Sequence, residues 1–213
     1  MGCLRLILPI LIVLPIVLLL LFFNVITISL AKLGLSPVSA VALLLAALIG
    51  SMINIPLSRR RVVYEQPQPF YSRFLFFLPP PVTNQVIAIN VGGAIIPVGF
   101  ALYLLPRAPL LPTLIATTIV TVVTRLVARP IAGVGIVMPV WISPLISAGL
   151  AFLLARDNPA PVAYISGVVG TLVGADLLNL PNFKKLGSHL ISIGGAGVFD
   201  GVFLSGMVAA LLT

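Results

Sequence analysis

An all-α, polytopic transmembrane bundle is what this sequence predicts, with about seven spans, several broken by glycine or proline, and a cytoplasmic amino terminus. Three observations carry that prediction. Of 213 residues, 60% are hydrophobic and 8% charged, where soluble chains carry about 25% charged residues. Mean hydropathy is +1.25. The charges are spaced so that uncharged runs of about 20 residues separate them, the length a helix needs to cross about 30 Å of hydrocarbon. A soluble cytosolic enzyme is excluded. Cys3 is the single cysteine, so a secreted disulfide scaffold is excluded too.

The first run, Leu6 to Ser29, exceeds the apolar region of a signal peptide and is expected to stay as a helix. Leu6 stands where a myristoylation signal needs Ser or Thr, so that pattern is incomplete, and Cys3 is taken as inert, with S-acylation the lesser alternative. The second run is Ser36 to Leu57, with Asn54 near its end. A polar connection over 58–81 follows. It carries Arg59, Arg60 and Arg61, then Glu65, Pro67 and Pro69, then Phe70, Tyr71, Phe74, Phe76 and Phe77 ahead of Pro79, Pro80 and Pro81. Rings at this density suit headgroup depth, and the prolines stop the segment from becoming a helix. It is either a short interfacial element or a loop with scattered aromatics.

The third run, Val82 to Leu105, contains Asn90, Gly92, Gly93 and Pro97, and the fourth is Leu110 to Ala128. The fifth, Ile131 to Ala155, follows Arg129 and Pro130 and contains Gly133, Gly135, Pro139 and Pro144. The sixth is Pro161 to Leu180. The seventh, Gly187 to Leu212, carries Gly194, Gly195, Gly197 and Gly201. Together they form one integral membrane domain over 1–213, placed in the cell membrane.

Orientation follows from the cations, because Lys and Arg beside spans are retained in the cytoplasm. With the amino terminus inside, Arg5, Arg59, Arg60, Arg61, Arg73, Arg125, Arg129, Lys184 and Lys185 fall inside, against Lys32, Arg107 and Arg156 outside. The net charge of +8 reflects a shortage of acids. The Arg59, Arg60, Arg61 cluster has no base-reading motif, so the expected partners are the bilayer and anionic lipid, not nucleic acid.

Glycine and proline inside apolar runs free backbone groups that hydrocarbon cannot satisfy. Such breaks survive where protein buries them or a wet cavity runs past them; glycines also serve simply for close helix contact. Ile87 to Ala94 (IAINVGGA) faintly echoes Ile191 to Gly197 (ISIGGAG) across a short gap. If the two segments are repeats they run parallel; chance similarity between Ile- and Gly-rich stretches is the alternative.

Two of the four acids, Asp176 and Asp200, lie inside apolar runs. A carboxylate near the bilayer centre costs about 2.5 to 3.5 kcal/mol on insertion scales, which makes it a functional hypothesis. The two fall on consecutive antiparallel spans, so they are candidates to share a proton, to act as acid and base, or to bind an ion. Asp176 lies about 6 Å deep at the helical rise, whereas Asp200 on a continuous helix from Gly187 would lie about 20 Å deep. An unwound Ser192 to Gly197 would bring them closer. By helical phase, Ala163, Gly167, Gly170 and Gly174 form a packing face, with Asp176 nearly opposite. The structural alternative is that each Asp caps a half-helix or bonds to Asn179, Ser192 or Thr171. Asn54, Asn90 and Asn179, with Gly92, Gly93, Gly194, Gly195 and Gly197, are the candidate cavity or helix-break residues. His189 reads as interfacial. No metal site or cofactor is expected, because one His and two Asp supply too few ligands at any recognised spacing.

GSMINIP at Gly50 to Pro56, AINVGGAIIP at Ala88 to Pro97, ARPIAGVGIVMP at Ala128 to Pro139, GTLVGADLLNL at Gly170 to Leu180 and SIGGAGVFDGVFL at Ser192 to Leu204 resemble an uncharacterised family of small prokaryotic membrane proteins, known as a domain of unknown function. The resemblance covers almost the whole chain and implies a multi-pass fold, without a chemistry. A distant topological likeness links Asp176 and Asp200 to presenilin-type aspartyl intramembrane proteases. The motifs differ: Ala175 stands where that family has Tyr before its first Asp, and Val198 and Phe199 intervene where it has Gly-x-Gly directly before its second. The expected function is a small carrier or channel-like protein for a proton, cation or small solute. Aspartyl intramembrane proteolysis and a non-catalytic assembly role are the alternatives.

Overall fold

Apolar helices and short strands alternate along the chain. The computed structural model describes residues 13–17, 20–21, 24–25, 27–63, 82–131, 135–185, 190–195, 206–208 and 211–213. The expectations for Cys3, for the 64–81 aromatic segment, for His189, and for Gly197 and Asp200 lie outside the described residues.

Helix within 13–32 ends at Gly34, whose φ of 83° is the left-handed conformation a side chain resists. Leu35 N donates to Leu30 O and Gly34 N to Ala31 O, closing the helix end in a Schellman pattern. Helix α1, Pro37–Gly50, restarts at once because Ser36 Oγ accepts from Ser39 N at 3.2 Å and Pro37 is already fixed at a helical φ. The chain then becomes extended. Strand β1, Asn54–Val63, pairs antiparallel with β2, Val82–Asn90, from Asn54↔Asn90 to Val63↔Val82, with a bulge between Pro56 and Ser58. Strand β2 runs directly into α2, Val91–Arg107, which opens with the π-helical turn Val91–Ile95.

Helix α3, Leu110–Val127, is followed by a small hairpin of β3, Arg129–Ile131, and β4, Gly135–Val137. Helix α4, Ile142–Leu154, leads into α5, Pro159–Pro181, which is α-helical to Thr171, π-helical over Leu172–Asp176 and 3-10 from Leu177. Strand β5, Leu190–Ile193, adds to the sheet parallel to β2, giving the order β1-β2-β5.

The described chain is mostly helical, and the all-α expectation is corrected by these strands. Ser36 to Leu57 stops being helix at Gly50; Val82 to Leu105 begins as strand; the stretch before α4 forms a hairpin; and Gly187 to Leu212 contains β5. The expected connection 58–81 begins inside β1. The cause is local. Val86-Ile-Ala-Ile and Leu190-Ile-Ser-Ile are short runs rich in β-branched residues bounded by Gly or Asn, a pattern of strands rather than of long helices. A third strand satisfies backbone groups that an isolated ribbon would leave open.

Helix α5 is the axis of the described core, with Val162, Ala163, Tyr164 and Val168 fully buried. It packs on α3 through glycine. A methyl group at Gly170 would lie 2.7 Å from Val120 Cγ1, and one at Gly174 would lie 2.0 Å from Thr124 Oγ1. Small residues at a helix contact let two backbones approach this closely. Thr113, Ala116, Val120 and Thr124 face the core, while Leu111, Leu114, Val122 and Leu126 point outward, Leu126 being 77% exposed. Helices α3 and α5 are long and apolar enough to cross a bilayer by length and composition, whereas α1, α2 and α4 are shorter apolar helices.

Candidate functional site

The end of the three-stranded sheet gathers polar groups from four parts of the chain. Because Asn54 and Asn90 are register partners, their side chains meet, and Asn90 Nδ2 donates to Asn54 Oδ1 at 3.2 Å and to Ser51 O at 2.7 Å. Asn90 Oδ1 accepts from Gly93 N at 2.7 Å, capping the π-helical start of α2. Ser192 Oγ on β5 donates to Asn54 Oδ1. Asn90 is 2% exposed and Asn54 is exposed, so the cluster runs from the protein surface inward.

Both Gly-Gly breaks lie where this sheet ends. Strand β2 leads into Gly92 and Gly93, and β5 leads into Gly194 and Gly195. The strands pair as Ile87↔Ile191, Ala88↔Ser192 and Ile89↔Ile193, which is the alignment in which the two segments echo one another. The echo therefore corresponds to a parallel strand pair. The breaks touch mainly through backbone, with the Ala94 methyl beside Gly194: a methyl group at Gly93 would lie 1.9 Å from Gly194 O. Gly92 is pressed as closely on the end of α1, where a methyl group would fall 1.9 Å from Ala47 O. Gly194 also has φ 69°, so glycine is required there twice over.

Asp176 closes the constellation. It ends the π-helical turn of α5, is 2% exposed, and its Oδ2 accepts from Gly194 N at 2.7 Å. The glycine face of α5 and Asp176 thus serve different neighbours, Gly170 and Gly174 meeting α3 while Asp176 meets the second break. Residues 190–195 are not helical, in keeping with an unwound approach to the last run.

Asn179 stands apart from the cluster. Fully buried, it donates to Ala175 O at 2.8 Å and accepts from Arg125 Nη1. Arg125 and Ser51 are contacts that the sequence reasoning missed. A cation three residues inside the end of an apolar run is the signal that could have singled out Arg125; Ser51 contributes only its carbonyl, which no side-chain pattern reveals. Among the described residues no group of three His, Cys, Asp or Glu could hold a metal ion.

The profile of a family described as "Protein of unknown function (DUF1614)" matches residues 48–212. The chain belongs to this family. The matched stretch begins in the last turn of α1 and includes Asn54, Asn90, Asp176 and both Gly-Gly breaks, so the whole polar constellation is DUF1614 sequence. No curated protein and no solved structure matches the chain.

Proposed function

We propose that this DUF1614 protein is a multi-pass protein of the cell membrane, amino terminus inside, and that it is a small carrier or channel-like protein for a proton, a cation or a small solute. The observation that carries this reading is the buried Asp176 carboxylate, bonded to the backbone of one helix break while that break rests on the other. A carboxylate inside an apolar helix is expensive and is by default functional. Non-helical backbone at membrane depth is tolerated where protein covers it or a cavity runs past it. Binding sites of many transporters lie at such interruptions.

In this mechanism Asp176 takes up the cation or proton. Its carboxylate then gives a weaker acceptor to Gly194 N–H, and the second break is free to move against the first. Contact between the breaks involves the backbone of Gly93 and Gly194 and the small Ala94 methyl, so little packing has to be rebuilt. The exposed Asn54 and buried Asn90 supply a polar route to the site. Asp200 is the second titrating group of the proposal. The seven apolar runs cross or enter the bilayer, some as full helices and some as helix joined to strand, with Arg59, Arg60 and Arg61 at the anionic lipid surface.

The test is flux in liposomes driven by a pH or ion gradient. Asp176→Asn and Asp200→Asn should each abolish it. Flux unchanged in both would remove the reading, and variants that only melt earlier would assign the two residues a structural role.

A further inference from the structure

A cavity of about 390 Å³ opens between the turn joining α2 to α3 and the turn joining α4 to α5, away from the polar constellation. Arg107, Arg156, Asp157 and Asn158 line it, together with Pro106 and Pro109. Its volume falls in the range of small-molecule sites.

The two arginines differ in their engagement. Arg107 is held: its Nη2 donates to Tyr103 Oη at 2.7 Å, its Nη1 to Leu33 O at 3.3 Å, and its guanidinium stacks 4.7 Å from the Tyr103 ring centroid. Asn158 Nδ2 donates to Arg107 O at 2.8 Å, tying the two turns together. Arg156, in contrast, makes no hydrogen bond or ion pair among the described residues, although it lines the same cavity. Its planar fork of donors matches phosphate oxygens in pairs. With two guanidinium groups against the single carboxylate of Asp157, the lining favours an anion.

What surrounds the cavity is apolar. Leu110 and Leu111 follow on α3, and Leu153 precedes it on α4, 71% exposed. A ligand seated here meets cations at one end and outward-facing leucines within a helical turn. That polarity is the polarity of a phospholipid. We propose that this cavity holds the phosphate-bearing headgroup of a membrane phospholipid, Arg156 binding the phosphate and the leucines meeting the acyl chains. The proposal rests on the membrane part of the reading above and is independent of the role of Asp176.

Native mass spectrometry of the purified full chain in detergent tests it, with added phosphatidylglycerol, with diacylglycerol of the same chains, or with inorganic phosphate. Phosphatidylglycerol should give a persistent adduct, reduced about tenfold in Arg156→Gln, the size of one lost charge-assisted hydrogen bond, and reduced less in Arg156→Lys, which keeps the charge and loses the paired fork. Diacylglycerol should stay at background. Asp176→Asn should keep the adduct even where flux is lost, which separates failure of this site from failure of the carrier reading. Equal phospholipid adducts in wild type and Arg156→Gln would overturn the site. Diacylglycerol binding as well as phosphatidylglycerol, or inorganic phosphate giving an Arg156-dependent adduct of equal strength, would overturn the lipid headgroup as its occupant.

Discussion

Asp176 and Gly194, 18 residues apart, are joined by a 2.7 Å hydrogen bond from the glycine amide to the buried carboxylate. The bond ties the π-helical end of α5 to the bend that follows β5. An amide side chain can still accept through its carbonyl oxygen, whereas alanine cannot. Asp176→Ala should therefore lower the thermal midpoint in detergent more than Asp176→Asn, by the penalty of an unpaired buried donor, about 1 to 3 kcal/mol. Equal midpoints in the two variants would mean that this bond does not hold the bend.

Glycines at the breaks should tolerate no side chain. Gly194→Ala combines a left-handed φ with a methyl group 2.8 Å from Ala94 Cβ, and Gly93→Ala meets Gly194 O at 1.9 Å. Each should destabilise by more than about 1 kcal/mol. Gly99 and Gly149 have nothing within 4 Å of an added methyl group, so alanine there should be neutral or stabilise by up to about 1 kcal/mol. Detergent melting of the four variants checks the ordering.

Packing between α3 and α5 depends on Gly174, whose missing side chain leaves room for Thr124 Oγ1 and Thr121 O. Gly174→Leu should separate the helices and reduce the folded fraction recovered after extraction. A paired Thr124→Ala would relieve only the hydroxyl clash, since the Thr121 carbonyl remains, so rescue should be partial. Size-exclusion recovery of the single and double variants measures this.

Asn90 serves Ser51, Asn54 and Gly93 at once. Asn90→Ala should lose a helix cap worth about 1 kcal/mol and leave the Ser51 carbonyl without that partner. Asn90→Asp keeps the acceptor but removes the amide donors. It should lie between wild type and Asn90→Ala if capping dominates, which urea or thermal unfolding resolves.

The outward face of α3 distinguishes lipid from water. Leu114 is 56% exposed. On a water-facing surface Leu114→Arg would shift stability by no more than about 0.5 kcal/mol, whereas near the middle of a bilayer it opposes insertion by about 2.5 to 3.5 kcal/mol. Membrane-integrated yield after alkaline washing should fall sharply for this variant, and an unchanged yield would contradict lipid exposure of that face.

Sequence by itself determined that most of this chain is apolar helix, that α3 and α5 are long enough to cross a bilayer, and that Asn54, Asn90, Asp176 and the Gly-Gly pairs are exceptional. Those features are written in composition and spacing, because charge is costly in oil and glycine costs stability inside a helix. Tertiary structure alone decided that Ile87-Ala-Ile and Ile191-Ser-Ile are paired strands and not helical turns. Over three or four apolar residues, helix and strand bury similar surface, and the choice falls to whichever partner supplies the backbone hydrogen bonds. The same is true of Asp176. Its isolation was visible in the sequence, but its partner is a main-chain amide, and every residue except proline carries one, so only the folded chain could single out Gly194.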